Sequence, residues 1–146
     1  LPSFRTGTVS TILSERIGLQ RVEVDGERAY VLTELVGPVA VGDAVVMNTT
    51  AVELGLGTGG WHVVHWNLAR TEWSPPVAGR EMKLRYTSLQ TDVAIAAGDE
   101  VPTVPVVACL LHSQLAAVAV AYKHVRPGGR LVYVMTDGGA LPLAFS

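Results

Sequence analysis

The stretch VEVDGERAYVL, residues 22–32, decides how the first half of this chain is read. Val22 and Val24 on one side and residues 29–32 on the other flank Asp25-Gly26, a pair that accepts the positive φ angles of a two-residue turn, so a β-hairpin is predicted here. Outward from it, residues 5–14 are rich in Thr, Val, Ser and Ile, and Gly42-Asp43 precedes another apolar run of strand length at 44–47. Short strands separated by turns, with no helical period between them, predict a small antiparallel β-barrel-like module.

The glycine run that follows, LGLGTGGWH (54–62), places Gly55, Gly57 and Gly60 at the G-x-G-x-x-G spacing of a dinucleotide loop. That loop works only where a strand leads in and a helix leads out, because the helix N-terminus supplies the amide dipoles for the phosphate. Here WHVVHW (61–66) follows, and two Val with two Trp in six residues favour a strand. The glycines are therefore read as a sharp bend between barrel strands, where no Cβ fits. A less favoured alternative is the glycine-rich first motif of methyltransferases that bind S-adenosylmethionine, which VELGLGTGG and the later VRPGGRLVYV both resemble.

Residues 68–80 contain Pro75-Pro76 and Gly79, which break both helix and sheet and mark a linker. Residues 81–86, where Lys83 and Arg85 alternate with Met82, Leu84 and Tyr86, read as a half-buried strand of uncertain membership. From residue 104 the grammar changes. VPVVACLL has the continuous apolar character of a strand buried on both faces, with Ser113 after it as an N-cap candidate. Leu115, Val118, Tyr122 and Val125 recur at helical spacing, Arg126-Pro127-Gly128-Gly129 stops the helix, and residues 131–135 form a second buried-type strand. The expected fold is thus an α+β or α/β chain: a barrel module over 1–74, a linker and strand over 75–103, and the start of a parallel β-α-β (Rossmann-like) unit over 104–146. Two parallel strands make no stable sheet alone, so this last unit reads as truncated.

The predicted crossover helix is apolar nearly all round, which requires a cover on its outer side: self-association, or an absent C-terminal half of the same protein. With 49% hydrophobic and only 16% charged residues, the chain has the composition of a folded protein with extensive contacts and not of a disordered one. At 146 residues it buries roughly 68–70% of its unfolded surface. Eleven basic and thirteen acidic residues, scattered without a long block, argue against nucleic acid as a partner. The longest apolar region is broken by His112, Ser113 and Gln114, which argues against a membrane span and for a cytoplasmic protein. Cys109 is alone and is expected to be buried in its strand.

Two polar groups follow the two expected parallel strands: His112, Ser113 and Gln114 after the first, Thr136, Asp137, Gly138 and Gly139 after the second. The carboxyl ends of neighbouring parallel strands form the rim where α/β sheets bind ligands. A histidine, a hydroxyl and a carboxylate (His112, Ser113, Asp137) on one rim suit acid-base or nucleophilic chemistry, while Gln114, Thr136 and the amides of Gly138-Gly139 suit ligand or anion binding. Set against this, Ser113 serves equally as a helix cap and Asp137 as a turn residue. His62 and His65, three apart, point to opposite faces of a strand and cannot share a metal.

NTTAVELGLGTGGWHVV (48–64), MKLRYTSLQ (82–90), LHSQL (111–115) and VMTDGGALPLAFS (134–146), in that order, resemble a bacterial domain-of-unknown-function family, number 3866. Members of that family are longer at the C-terminus, and the resemblance implies no activity and leaves any cofactor unknown. The functional expectation is small-molecule or anion binding at the rim; the alternative is an oligomeric assembly module without catalysis.

Overall fold

The structure, a computed structural model, describes residues 1–56, 59–77, 79–94, 103–111 and 113–134. Leu1–Pro75 belongs to one compact unit and the described residues beyond Pro75 to a second.

The first unit is a closed barrel in the order β1-β2-β3-β5-β4. Its strands are β1 (Phe4–Arg16), β2 (Leu19–Val24), β3 (Glu27–Leu32), β4 (Ala44–Asn48) and β5 (His62–Asn67), with short helices α1 (Thr33–Val36) and α2 (Thr50–Glu53) in the connections. The hairpin at Asp25-Gly26 forms as the sequence requires: Val24 pairs with Glu27, and the two turn residues take φ values of 51° and 83°. β1 is long enough to serve two neighbours. Its first half pairs with β4 from Phe4↔Asn48 to Thr8↔Ala44, and its second half with β2 from Val9↔Val24 to Arg16↔Leu19. Register shifts between Val9 and Thr11 and between Ile12 and Ser14 bend it around the corner. Gly7 sits at the changeover because a Cβ there would come within 2.6 Å of Val24 and 2.7 Å of Asp25.

Alternating β-branched residues fill the interior: Val22, Val24, Val31, Val45 and Val64, with Met47 among them, are all buried. The barrel differs from the expected antiparallel one in a single ladder. β3 and β5 run parallel through Ala29↔His62 and Tyr30↔Val63, because the chain between them crosses the barrel through α1, β4 and α2 and re-enters in the same direction. At the opposite end from the hairpin, Gln20 is buried and clamps Val39, accepting from its N–H at 2.8 Å and donating to its C=O at 3.1 Å.

The second unit contains the antiparallel pair β6 (Glu81–Lys83) and β7 (Thr91–Val93) and the helix α3 (Gln114–Val125). The strand expected over 81–86 stops at Lys83, since Leu84 and Tyr86 take φ values of 52° and 63°, which no ladder accommodates. The helix is present where its period places it, and Arg126 closes it with a bond to the Tyr122 carbonyl. The parallel β-α-β unit is not formed by the described residues: 103–111 and 130–134 join no ladder, and 135–146 lie outside them. A strand exists only by pairing, so apolar character without a neighbouring strand leaves these segments irregular. For the same reason Cys109, expected to be buried, is exposed. Among the described residues no helix is long and apolar enough to cross a membrane.

Candidate functional site

The two-residue turn at 25–26 fixes which residues of β2 and β3 face each other, and on the outer wall of the barrel it sets Arg21 opposite Tyr30 and Glu23 opposite Arg28. The parallel ladder then brings the start of β5 alongside β3, and Trp61, the residue before β5, lies on Tyr30. Their rings are stacked, with centroids 4.7 Å apart and planes at 17°. Arg28 holds its guanidinium carbon 5.0 Å from the Trp61 ring centroid, and Arg21 holds its own 5.6 Å from Trp61 and 5.9 Å from Tyr30. Both cations are therefore held within the roughly 6 Å reach of one indole.

The glycine run explains how Trp61 gets there. It is the β4–β5 connection, and Gly55, Gly59 and Gly60 adopt φ values of 67°, 61° and 83°, a left-handed path that other residues take at a cost of about 1–2 kcal/mol each. Gly57 and Thr58 lie outside the described residues. The run enters from α2 and leads into a strand, so no helix N-terminus follows it to receive a pyrophosphate.

The charge pattern singles out the two arginines. Residues 1–75 hold five basic and eight acidic side chains. Arg5 pairs with Glu27, and Arg70 donates to the carbonyls of Val36 and Pro38 while lying over Trp73. Arg21 and Arg28 have no carboxylate in ion-pair contact among the described residues, and the Arg21 Nε is buried without an acceptor. A guanidinium held over an aromatic ring keeps less rotamer freedom to lose, and arginine is the side chain whose planar fork matches a carboxylate or phosphate.

Behind Trp61, the adjacent His62 turns inward. Its side chain is 7% exposed, Nε2 lies 3.2 Å from the Glu27 carboxylate, and Nδ1 is buried with no partner. Burial, with Arg5 nearby, pushes its pKa below the ordinary 6.5, against an opposing pull from Glu53. Glu53 in turn is held below the ordinary carboxylate range first by the Thr49 hydroxyl, 2.5 Å away, and then by Ser3. His65, on the other face of the strand, packs against Phe4 with ring centroids 4.9 Å apart.

Of the rim residues expected from sequence, His112, Thr136, Asp137, Gly138 and Gly139 lie outside the described residues. Ser113 stands at the N-cap of α3 but in helical backbone geometry, and its side chain makes no capping bond. Gln114, the first residue of α3, reaches back to the segment before the helix: its Oε1 accepts from the backbone N–H groups of Leu110 and Leu111, both at 3.0 Å. Its carbonyl oxygen is thus engaged by the chain itself.

A family model described as "Protein of unknown function (DUF3866)" matches residues 28–146. The chain belongs to this family. No curated protein and no solved structure matches it. The DUF3866 match begins within β3, so Arg28, Tyr30, Trp61 and His62 fall inside it, whereas Arg21, β1 and β2 precede it.

The sequence reading missed Arg21, Arg28, Tyr30 and Trp61. The first three were accessible through hairpin register alone, because a turn at 25–26 pairs residues whose numbers sum to a constant. Trp61 arrives through the β3–β5 ladder, which no local pattern announces.

Proposed function

We propose that this protein is a binding module whose recognition surface is the barrel wall around Trp61, and that its ligand carries an anionic group, phosphate or carboxylate. The observation that supports this reading is a pair of arginines on an otherwise acidic barrel, both without a carboxylate partner among the described residues and both pre-oriented by the same stacked aromatic pair. An exposed arginine with nothing to gain from a fixed posture samples many rotamers; holding two of them against one indole lowers the entropy lost on capture of an anion. A fold-level analogy points the same way. In five-stranded Greek-key barrels of the oligonucleotide- and oligosaccharide-binding type, the face of strands 2 and 3 and the loop between strands 4 and 5 bind ligands, and these are the elements that carry Arg21, Arg28, Tyr30 and Trp61. The test is calorimetric titration of the protein with sulfate and with inorganic pyrophosphate at pH 8. Saturable binding is expected, weakened about ten-fold or more by Arg28→Ala or Arg21→Ala, the loss of a hydrogen bond to a charged group. Failure of both anions to bind in the millimolar range sinks the reading.

A second reading, assembly, rests on α3. None of its residues is buried, and Val120 and Val125 are 71% and 77% exposed. An apolar helix of this kind gains by covering in a second copy of the chain, with residues 104–110 and 131–135 pairing as parallel strands beside it. Val120→Glu is expected to reduce an oligomer to monomers in light scattering; a wild-type chain that is already monomeric removes this reading.

A further inference from the structure

We infer that His62 is a proton-operated latch beneath the arginine–aromatic wall, so that acidification releases the anion that the wall holds. The inference rests on the binding reading above and extends it to regulation.

Three facts place the latch. His62 follows Trp61 in the chain, and Glu27, its partner at 3.2 Å, precedes Arg28, the cation over the Trp61 ring. Both halves of the latch are therefore one peptide bond from the two halves of the stack. The neutral ring suits the site as it stands, with Nε2 lying 3.2 Å from the Glu27 carboxylate and Nδ1 buried with no hydrogen-bond partner. Protonation puts a second N–H on Nδ1 inside the barrel, where no acceptor awaits it, and adds a positive charge beside Arg5, which already shares Glu27.

The charged groups around the ring come from three elements: Arg5 from β1, Glu27 from β3 and Glu53 from α2, while β4 contributes none. Glu27 and Glu53 attract the charged ring, but Glu27 is engaged by Arg5 and Glu53 by the Thr49 hydroxyl. The remaining way for Nδ1–H to find a partner is for the ring to move toward water. Movement at residue 62 draws Trp61 off Tyr30 and frees Arg28 from its platform. His62 is thus a positioning residue that touches no ligand.

The experiment has two arms on the full chain. In the first, Trp66→Phe and Trp73→Phe leave Trp61 as the sole indole, and its emission is followed from pH 8 to pH 5 without ligand. A titration with its midpoint below about 6.5 is expected, absent from the same protein carrying His62→Gln. In the second, sulfate affinity is measured at pH 8 and pH 5, a range over which sulfate keeps its charge. Wild type is expected to lose at least about five-fold, and His62→Gln to lose none; Glu27→Gln, which keeps a hydrogen-bond acceptor for Nε2, provides a second variant should His62→Gln fail to fold, and is expected to shift the midpoint further down. A Trp61 emission that does not change with pH, or a sulfate affinity that falls equally in wild type and His62→Gln, overturns the latch. Absence of sulfate binding at pH 8 fails the binding reading instead, and the first arm still reads the latch alone.

Discussion

Replacing Gln20 by alanine tests whether the end of the barrel is held by one side chain. Gln20 is 2% exposed, and its amide makes three bonds: Nε2 donates to the Val39 carbonyl at 3.1 Å and to the Glu15 carboxylate at 2.7 Å, while Oε1 accepts from the Val39 N–H at 2.8 Å. Val39 is itself buried in the core cluster, so truncation strands two main-chain groups away from water. Each unsatisfied group costs about 1–3 kcal/mol. The expected loss is therefore about 4 kcal/mol, a large part of the total stability of a small domain. Urea unfolding followed by circular dichroism reads it directly: with a slope of about 1–3 kcal/mol per molar, the midpoint falls by more than about 1 M. A loss under about 1 kcal/mol with an unchanged slope would refute the reasoning, since it would mean that water reaches Val39 as soon as the amide is gone.

Three further outcomes are expected. Because the His62 pKa is depressed in the folded state, stability is full above about pH 6.5 and declines as pH falls from there toward the folded-state pKa, with a limiting slope of about 1.4 kcal/mol per pH unit that His62→Gln removes from the chemical-denaturation profile. Gly26→Ala introduces a Cβ that meets nothing within 4 Å, so its cost of about 1–2 kcal/mol arises wholly from the φ of 83°, and Gly26→Asn is expected to cost less in the same denaturation assay. Trp61→Ala abolishes the near-ultraviolet dichroism of the Tyr30 stack and destabilises by about 0.5–1.5 kcal/mol beyond the buried area lost.

The barrel half was largely legible in the sequence because its information is local. Asp25-Gly26 sets a turn, the turn sets a register, and the alternation of Val22, Glu23 and Val24 separates core from wall. What stayed hidden depends on contacts between distant segments. The parallel pairing of His62 with Ala29, the meeting of Trp61 with Arg28, and the sharing of Glu27 by Arg5 and His62 join residues that no periodicity connects. In the second half the helix was legible from its 3.6-residue period, whereas VPVVACLL could state only that its residues favour burial. An apolar run names no neighbour, and without one the described part of it stays outside any ladder with Cys109 exposed.

The position of β5 between β3 and β4 has a consequence for how this ring assembles. During synthesis the hairpin of β2 and β3 and the long first strand emerge early and can pair at once, yet both β3 and β4 keep a raw flank until residue 67 is made. The last strand then docks on two sides in a single event, one flank parallel and one antiparallel, at the cost of closing the loop from Ala29 to His62. The ring therefore matures late and all together, and its period of vulnerability to sticking edge-on to another nascent chain ends with the arrival of one six-residue keystone.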